Sequence, residues 1–205
     1  MPSRNVLKLD ASETYYHVYA RGISRGKIFF INEDYEYFLS LCARYLSSEQ
    51  VKDRNGLSYP HLFGQVEIVC YCLMPNHFHM LIYQRDAGSM KTLMRCLLTS
   101  YSRYFNKKYK RSGSLFESRY KASMVVQQKY LEHITRYIHL NPKLWRQFPY
   151  SSLQYYFNEG RPEFIVPDKI EDLFENKEIY LQFLEQYVKT KAEIDKTKYE
   201  LPDFY

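Results

Sequence analysis

The spacing of apolar and polar positions predicts four strands and three helices before residue 157, then a sparser tail. Thr14-Tyr15-Tyr16-His17-Val18-Tyr19-Ala20-Arg21 is rich in β-formers and stops at Gly22, as a first strand does. Asn32 is placed to cap a helix whose first turn is acidic and whose apolar face is Phe38, Leu39, Leu41, Cys42, Tyr45 and Leu46, ending near Ser48. After a polar loop over 49–62, Val66 to Leu73 reads as a strand, Pro75-Asn76 as a tight turn, and Met80-Leu81-Ile82-Tyr83 as part of the returning strand. Ser89 is placed to cap a second helix carrying Met90, Leu93, Met94, Leu97, Leu98, Tyr101 and Phe105 at 3-4 spacing. Gly113 breaks that pattern. Residues 115–126 are mostly extended, and 128–140 form a third helix with Tyr130, Leu131, Ile134, Tyr137 and Ile138 on one side, closed by Pro142.

The order strand, helix, strand, strand, helix, strand, helix fits an α+β fold: a ferredoxin-like antiparallel sheet with helices packed on one face. Three segments are expected: an N-terminal arm over 1–13, a main domain over 14–157, and an extension over 158–205 with a helix at 177–192.

Charge sharpens this division. Residues 1–157 hold 22 Lys and Arg against 11 Asp and Glu, whereas 158–205 hold 7 against 12. A basic body favours a polyanionic partner such as nucleic acid. Cys42, Cys70, Cys72 and Cys96 form neither a CxxC pair nor a dense disulfide framework and read as free thiols. No stretch reaches the roughly 18 apolar residues of a spanning helix, and the first residues lack the apolar core of a signal peptide. No membrane association and a cytoplasmic location are therefore expected.

The chemistry concentrates in two places. A strand turns residues i and i+2 to one face, so His77 and His79 in Met74-Pro75-Asn76-His77-Phe78-His79 point the same way, as a metal pincer requires. Tyr137 and Asn141 lie one helical turn apart, so a phenol and an amide can face one point if the helix end packs near the sheet. Arg119 and Lys121 alternate with Tyr120, and Lys107, Lys108, Lys110 and Arg111 surround Tyr109, a positive track with stacking rings suited to single strands. Tyr120 and Tyr130 have no amide or carboxylate four residues on and read as packing or stacking residues. His17, His133 and His139 rank below the strand pair as ligands.

Five motifs in order, Tyr16-His17-Val18 with Arg21-Gly22, Met74 to His79, Gly113-Ser114-Leu115-Phe116 with Arg119-Tyr120-Lys121-Ala122, Tyr137 to Pro142, and Pro149-Tyr150-Ser151-Ser152, resemble the REP-associated tyrosine transposases, which are single-tyrosine HUH transposases of the insertion sequence 200 type. The resemblance covers about residues 14–157. It implies metal-dependent cleavage and rejoining of single-stranded or hairpin DNA through a 5′-phosphotyrosine, with Tyr137 as nucleophile and His77, His79 and Asn141 as ligands. It also adds Arg21, Arg4 and Lys8 to the expected DNA contacts. Two imidazoles and an amide oxygen suit Mg²⁺ or Mn²⁺, no nucleotide cofactor is needed, and related enzymes act as monomers or homodimers. Lys143-Leu144-Trp145-Arg146 departs from the small-residue stretch usual in the family.

Two other readings compete. A non-catalytic DNA- or RNA-binding module on the same fold would bind without a covalent product, although the aromatic RNA-recognition signature is absent. A metal hydrolase using bound water would not need Tyr137.

Overall fold

The computed structural model describes residues 10–157 and 160–200, with the backbone alone for 192–200. Arg4 and Lys8 lie outside the described residues. The strands are β1 (Thr14–Arg21), β2 (Val66–Met74), β3 (His77–Gln84) and β4 (Lys121–Val125), and they form one sheet in the order β2-β3-β1-β4. All three pairings are antiparallel, so β1 lies between β3 and β4, the ferredoxin-like arrangement expected from the sequence. Helices α1 (Asn32–Leu46) and α2 (Ser89–Lys108) join the strands on either side of the central hairpin.

The strand period sends side chains to two separate cores. Tyr16, Val18 and Ala20 of β1 and Phe78, Met80 and Ile82 of β3 pack with the apolar stripes of α1 and α2. Leu81 and Tyr83 point the other way, against Leu131, Ile134 and Ile138 of α3 (Gln128–His139). One-face packing thus holds for α1 and α2, while α3 covers the opposite face. A sequence-derived apolar stripe shows that a helix packs, not which side of a sheet it packs on.

The cap assignments shift by a residue. Asn32 begins α1, and the buried Asp34 carboxylate takes up the free backbone N–H groups of Phe30 and Ile31 at 2.8 and 3.2 Å. At α2 the cap is Gly88, whose φ of 85° suits a residue without Cβ. Ser89 is the first helical residue, and its hydroxyl donates to Asp86 and Gln65 carbonyls.

The segment after 157 joins the domain. Val166 N–H donates to the Ile68 carbonyl at 2.9 Å, and Ile170 of α4 (Asp168–Glu171) with Tyr180 and Leu184 of α5 (Lys177–Glu200) completes the α3-side core. Helix α5 extends beyond the 177–192 span read from the pattern. Cys42, Cys70 and Cys72 are buried free thiols and Cys96 is a half-buried one, as their spacing suggested.

Candidate active site

Three β-hairpin and loop features place the histidine pair. The Pro75-Asn76 turn is clasped by the loop after β1: Gly22 N–H donates to the Asn76 carbonyl at 2.9 Å, and Ile28 and Phe29 N–H groups donate to the Pro75 carbonyl. Gly22 permits this because a Cβ there would stand 2.1 Å from the Gly26 carbonyl oxygen. Register then sets Arg21 opposite His77 and Tyr19 opposite His79, all on the α3 side of the sheet.

Helix α3 supplies the phenol. Leu131, Ile134 and Ile138 turn inward, each contributing roughly 1.5–3 kcal/mol by burial, and hold the helix in one rotational setting. Tyr137 falls on the flank of that stripe and is 48% exposed. Its ring lies edge-on to His79 at 5.2 Å between centroids and to His17 at 6.0 Å. Asn141 follows the helix C-terminus, within hydrogen-bonding reach of both Tyr137 and His77. The four residues singled out by the motifs, His77, His79, Tyr137 and Asn141, therefore meet at one place.

The electrostatics keep this place neutral but for Arg21. Burial lowers His79 to about 2, reinforced by the neighbouring His17, His77 and Arg21. Burial also lowers His17, to about 4, and burial with the Arg21 charge lowers His77. Both strand imidazoles are thus unprotonated at neutral pH, the state a metal ligand needs. Burial raises the Tyr137 phenol, an effect that Asn141 opposes, so the unassisted side chain stays protonated. Among the described residues no cluster of three or more His, Cys, Asp or Glu is placed to hold a metal ion; the groups here that could hold one are two imidazoles and an amide, a set that suits a hard or borderline divalent ion.

The basic residues separate. Arg21 is exposed beside the histidines, and the exposed Lys121 stands farther along the sheet with its ammonium 5.8 Å from the Tyr19 ring centre. Arg119 lines a groove of about 1140 Å³ shared with Arg95 and Arg103 of α2, and Tyr120, mostly buried in the core, lines the same groove with what remains of its surface. Lys107, Lys110 and Arg111 are exposed at the end of α2. Lys108 instead turns back, its Nζ 2.8 Å from both Asp34 and the Tyr104 hydroxyl. His139 is fully buried between Ser152 and Tyr180, and His133 sits beside Arg136, so neither reaches the strand pair. Two residues that lie within the motifs but were not among the expected ligands, His17 and Asn76, bond directly to His79 and His77 at 2.9 and 2.7 Å. His17 was signalled by the period of β1, which puts it on the same face as Tyr19 and Arg21; Asn76 carried no signal beyond its turn position.

Residues 63–141 match the family model for IS200-like transposases. That stretch contains the hairpin, α2, β4 and α3, and with them both strand histidines, Tyr137 and Asn141. Over that stretch the chain is similar to the IS200-like transposases. Its fold is similar to that of the REP-associated tyrosine transposase solved bound to a REP hairpin, at 12% identity and a TM-score of 0.52 over 80% of this chain and 92% of that one. A putative transposase from Deinococcus radiodurans R1 aligns at 14% identity, over 67% of this chain and 95% of that one, with a TM-score of 0.38, too low to argue from. Curated proteins give no match. No helix among the described residues is long and apolar enough to cross a membrane.

Proposed function

We propose that this protein is an IS200-like transposase that cleaves and rejoins single-stranded DNA beside a hairpin, with Tyr137 as the nucleophile. The observation that carries this reading is the convergence of Tyr137, from α3, with His79, from the central hairpin, at 5.2 Å. The Tyr137 oxygen attacks a phosphorus atom, the bond from phosphorus to the 3′ oxygen breaks, and the phenolic proton passes to solvent while the leaving oxygen takes up a proton as a 3′ hydroxyl. The 5′ phosphate stays joined to Tyr137, so attack by another 3′ hydroxyl reseals DNA without ATP. Asn141 orients the phenol, and Arg21 stands where it can pair with a non-bridging phosphate oxygen. A divalent cation, Mg²⁺ or Mn²⁺, held by His77, His79 and Asn141, would offset the charge that develops on the phosphate.

Hairpin DNA as the partner is supported by the fold relative, which was solved with a REP hairpin. Lys121 and Arg119, together with Lys107, Lys110 and Arg111, would hold its backbone, while the Tyr120 ring packs inside. Because Tyr137 meets histidines of its own chain, one copy carries a full catalytic set and can act in cis. Incubation with Mn²⁺ and a labelled hairpin with single-stranded flanks tests the reading. Wild type should form an adduct that survives denaturation, and Tyr137→Phe should form none while still binding. Adduct in Tyr137→Phe refutes the assignment; hairpin binding that ignores chelator, with no adduct in wild type, assigns the chain to non-catalytic DNA binding instead.

A further inference from the structure

We propose that Asn76 and His17 are positioning residues that fix the rings and protons of His77 and His79, leaving an unprotonated Nε2 on each as the ligand atom. The inference rests on the cation site proposed above and extends it outward by one layer. Asn76 is unambiguous in its orientation: its amide nitrogen donates to the Arg25 carbonyl at 3.3 Å, so its oxygen faces His77. An oxygen can only accept, so His77 Nδ1 carries the proton across the 2.7 Å contact, and its Nε2 is bare. The turn itself is held by the Gly22 and Ile28 N–H bonds to Asn76 and Pro75, so the amide has little freedom to leave.

His17 serves the second imidazole from the neighbouring strand. It is only 3% exposed, and its ring stacks on His79 at 5.1 Å with an interplanar angle of 22°. Its Nε2 lies 2.9 Å from His79 Nδ1, while its other nitrogen has no hydrogen-bond partner. A buried imidazole with one nitrogen unpaired is costly, and an apolar side chain would fill the same space without that cost. With a cation on His79 Nε2, the His79 proton sits on Nδ1 and His17 Nε2 accepts it, which leaves the proton of His17 on its unpaired Nδ1, a cost that the orientation of His79 explains. Both strand histidines then have the same plan, an outer nitrogen protonated and held and an inner nitrogen free, the arrangement in which outer partners orient metal-binding imidazoles.

Calorimetric titration of the full chain with Mn²⁺ tests this, using Asn76→Ala, His17→Phe, and the acceptor-retaining Asn76→Asp and His17→Gln. The Ala and Phe variants should bind Mn²⁺ about 10–100-fold more weakly, with Asp and Gln restoring most of the affinity. Wild-type binding that all four variants leave within about twofold, or weaken equally, overturns the positioning role alone. A wild type that binds no Mn²⁺ overturns it together with the cation site. In the unsubstituted protein with Mg²⁺ present, ¹⁵N NMR should find the protons of His77 and His79 on Nδ1; a proton on Nε2 of either overturns that residue's assignment even where a variant fails to fold.

Discussion

The Tyr137 ring meets the His79 imidazole edge-on, its plane turned 80° from the other, although the two side chains are 58 positions apart and belong to elements on different layers. Nothing local holds them together. The meeting depends on α3 being seated by Ile134 and Ile138, so Ile138→Ala should cost about 2–5 kcal/mol and reduce adduct formation more than hairpin binding. Urea denaturation read beside the adduct assay checks this; equal reductions in binding and adduct at temperatures where the variant is folded would contradict it.

Asn141 touches both halves of the site. Replacing it with Ala should weaken Mn²⁺ binding and slow adduct formation by about 10–100-fold, since it removes a weak ligand and the group that orients the phenol. Asn141→Asp should retain Mn²⁺ binding. An Asn141→Ala protein with unchanged Mn²⁺ affinity removes the amide from the ligand set.

Helix α5 braces the Tyr137 helix from behind. Tyr180 hydroxyl and His139 Nδ1 are 2.7 Å apart, and Ser152 meets the other His139 nitrogen at 2.9 Å. Arg136 lies over the Phe183 and Tyr187 rings at 4.4 and 4.1 Å. Tyr180→Phe leaves His139 Nδ1 buried without its partner, with an expected destabilisation of about 1–3 kcal/mol. Thermal melting should show this while the adduct yield at low temperature holds; an unchanged melting temperature would show that the Tyr180 hydroxyl contributes nothing.

Neighbouring lysines should behave in opposite ways. Lys108→Ala removes the cationic partner of the buried Asp34 carboxylate, leaving its N–H and tyrosine hydroxyl donors, and should cost about 1–3 kcal/mol, moderated because the Lys108 end reaches solvent. Lys107→Ala and Lys110→Ala should leave stability unchanged, weaken hairpin binding, and lower the slope of log affinity against log salt by about 0.7–0.9 for each phosphate no longer neutralised. Melting curves and binding titrations across salt separate the two behaviours.

Stability should fall with acid earlier than carboxylate titration alone would cause. His17, His79 and His139 are held neutral by burial, at about 4, about 2 and about 3, against 6.5 for a free side chain. Below pH 6.5 the unfolded chain takes up protons that the folded chain refuses, so folding weakens by about 1.4 kcal/mol per pH unit per histidine until the folded value is reached. Above pH 6.5 these groups add no pH dependence. Urea midpoints between pH 7 and 5 should drop accordingly, and His139→Gln should make the drop shallower; a flat profile over that window contradicts the buried neutral state.

Much of the site was legible because its parts are local. The i, i+2 spacing of His77 and His79 fixes a shared strand face, and the spacing of Tyr137 and Asn141 fixes a shared helix end. Lys108 was not legible as different from Lys107, because what distinguishes it is Asp34, 74 positions away. Tyr120 read as a stacking ring in an alternating basic segment, yet the alternation itself turns it inward between Arg119 and Lys121. The caps of α1 and α2 fall one residue earlier, on Ile31 and Gly88, because backbone conformation sets them and neither residue has a polar side chain to signal a cap.

The sequence by itself determined the four strands and the three helices of the main domain and the pairing of two imidazoles on one strand face, since each follows from periods of 2 and 3.6 along a contiguous segment, and the order of those elements pointed to the ferredoxin-like connection. Only the tertiary structure decided that α3 covers the face opposite α1 and α2, that His17 and Asn76 stand behind the two imidazoles, and that the acidic extension seats α3 through Tyr180. These relations depend on which faces meet after the chain has folded back on itself, and a period along one segment carries no information about the segment it will touch.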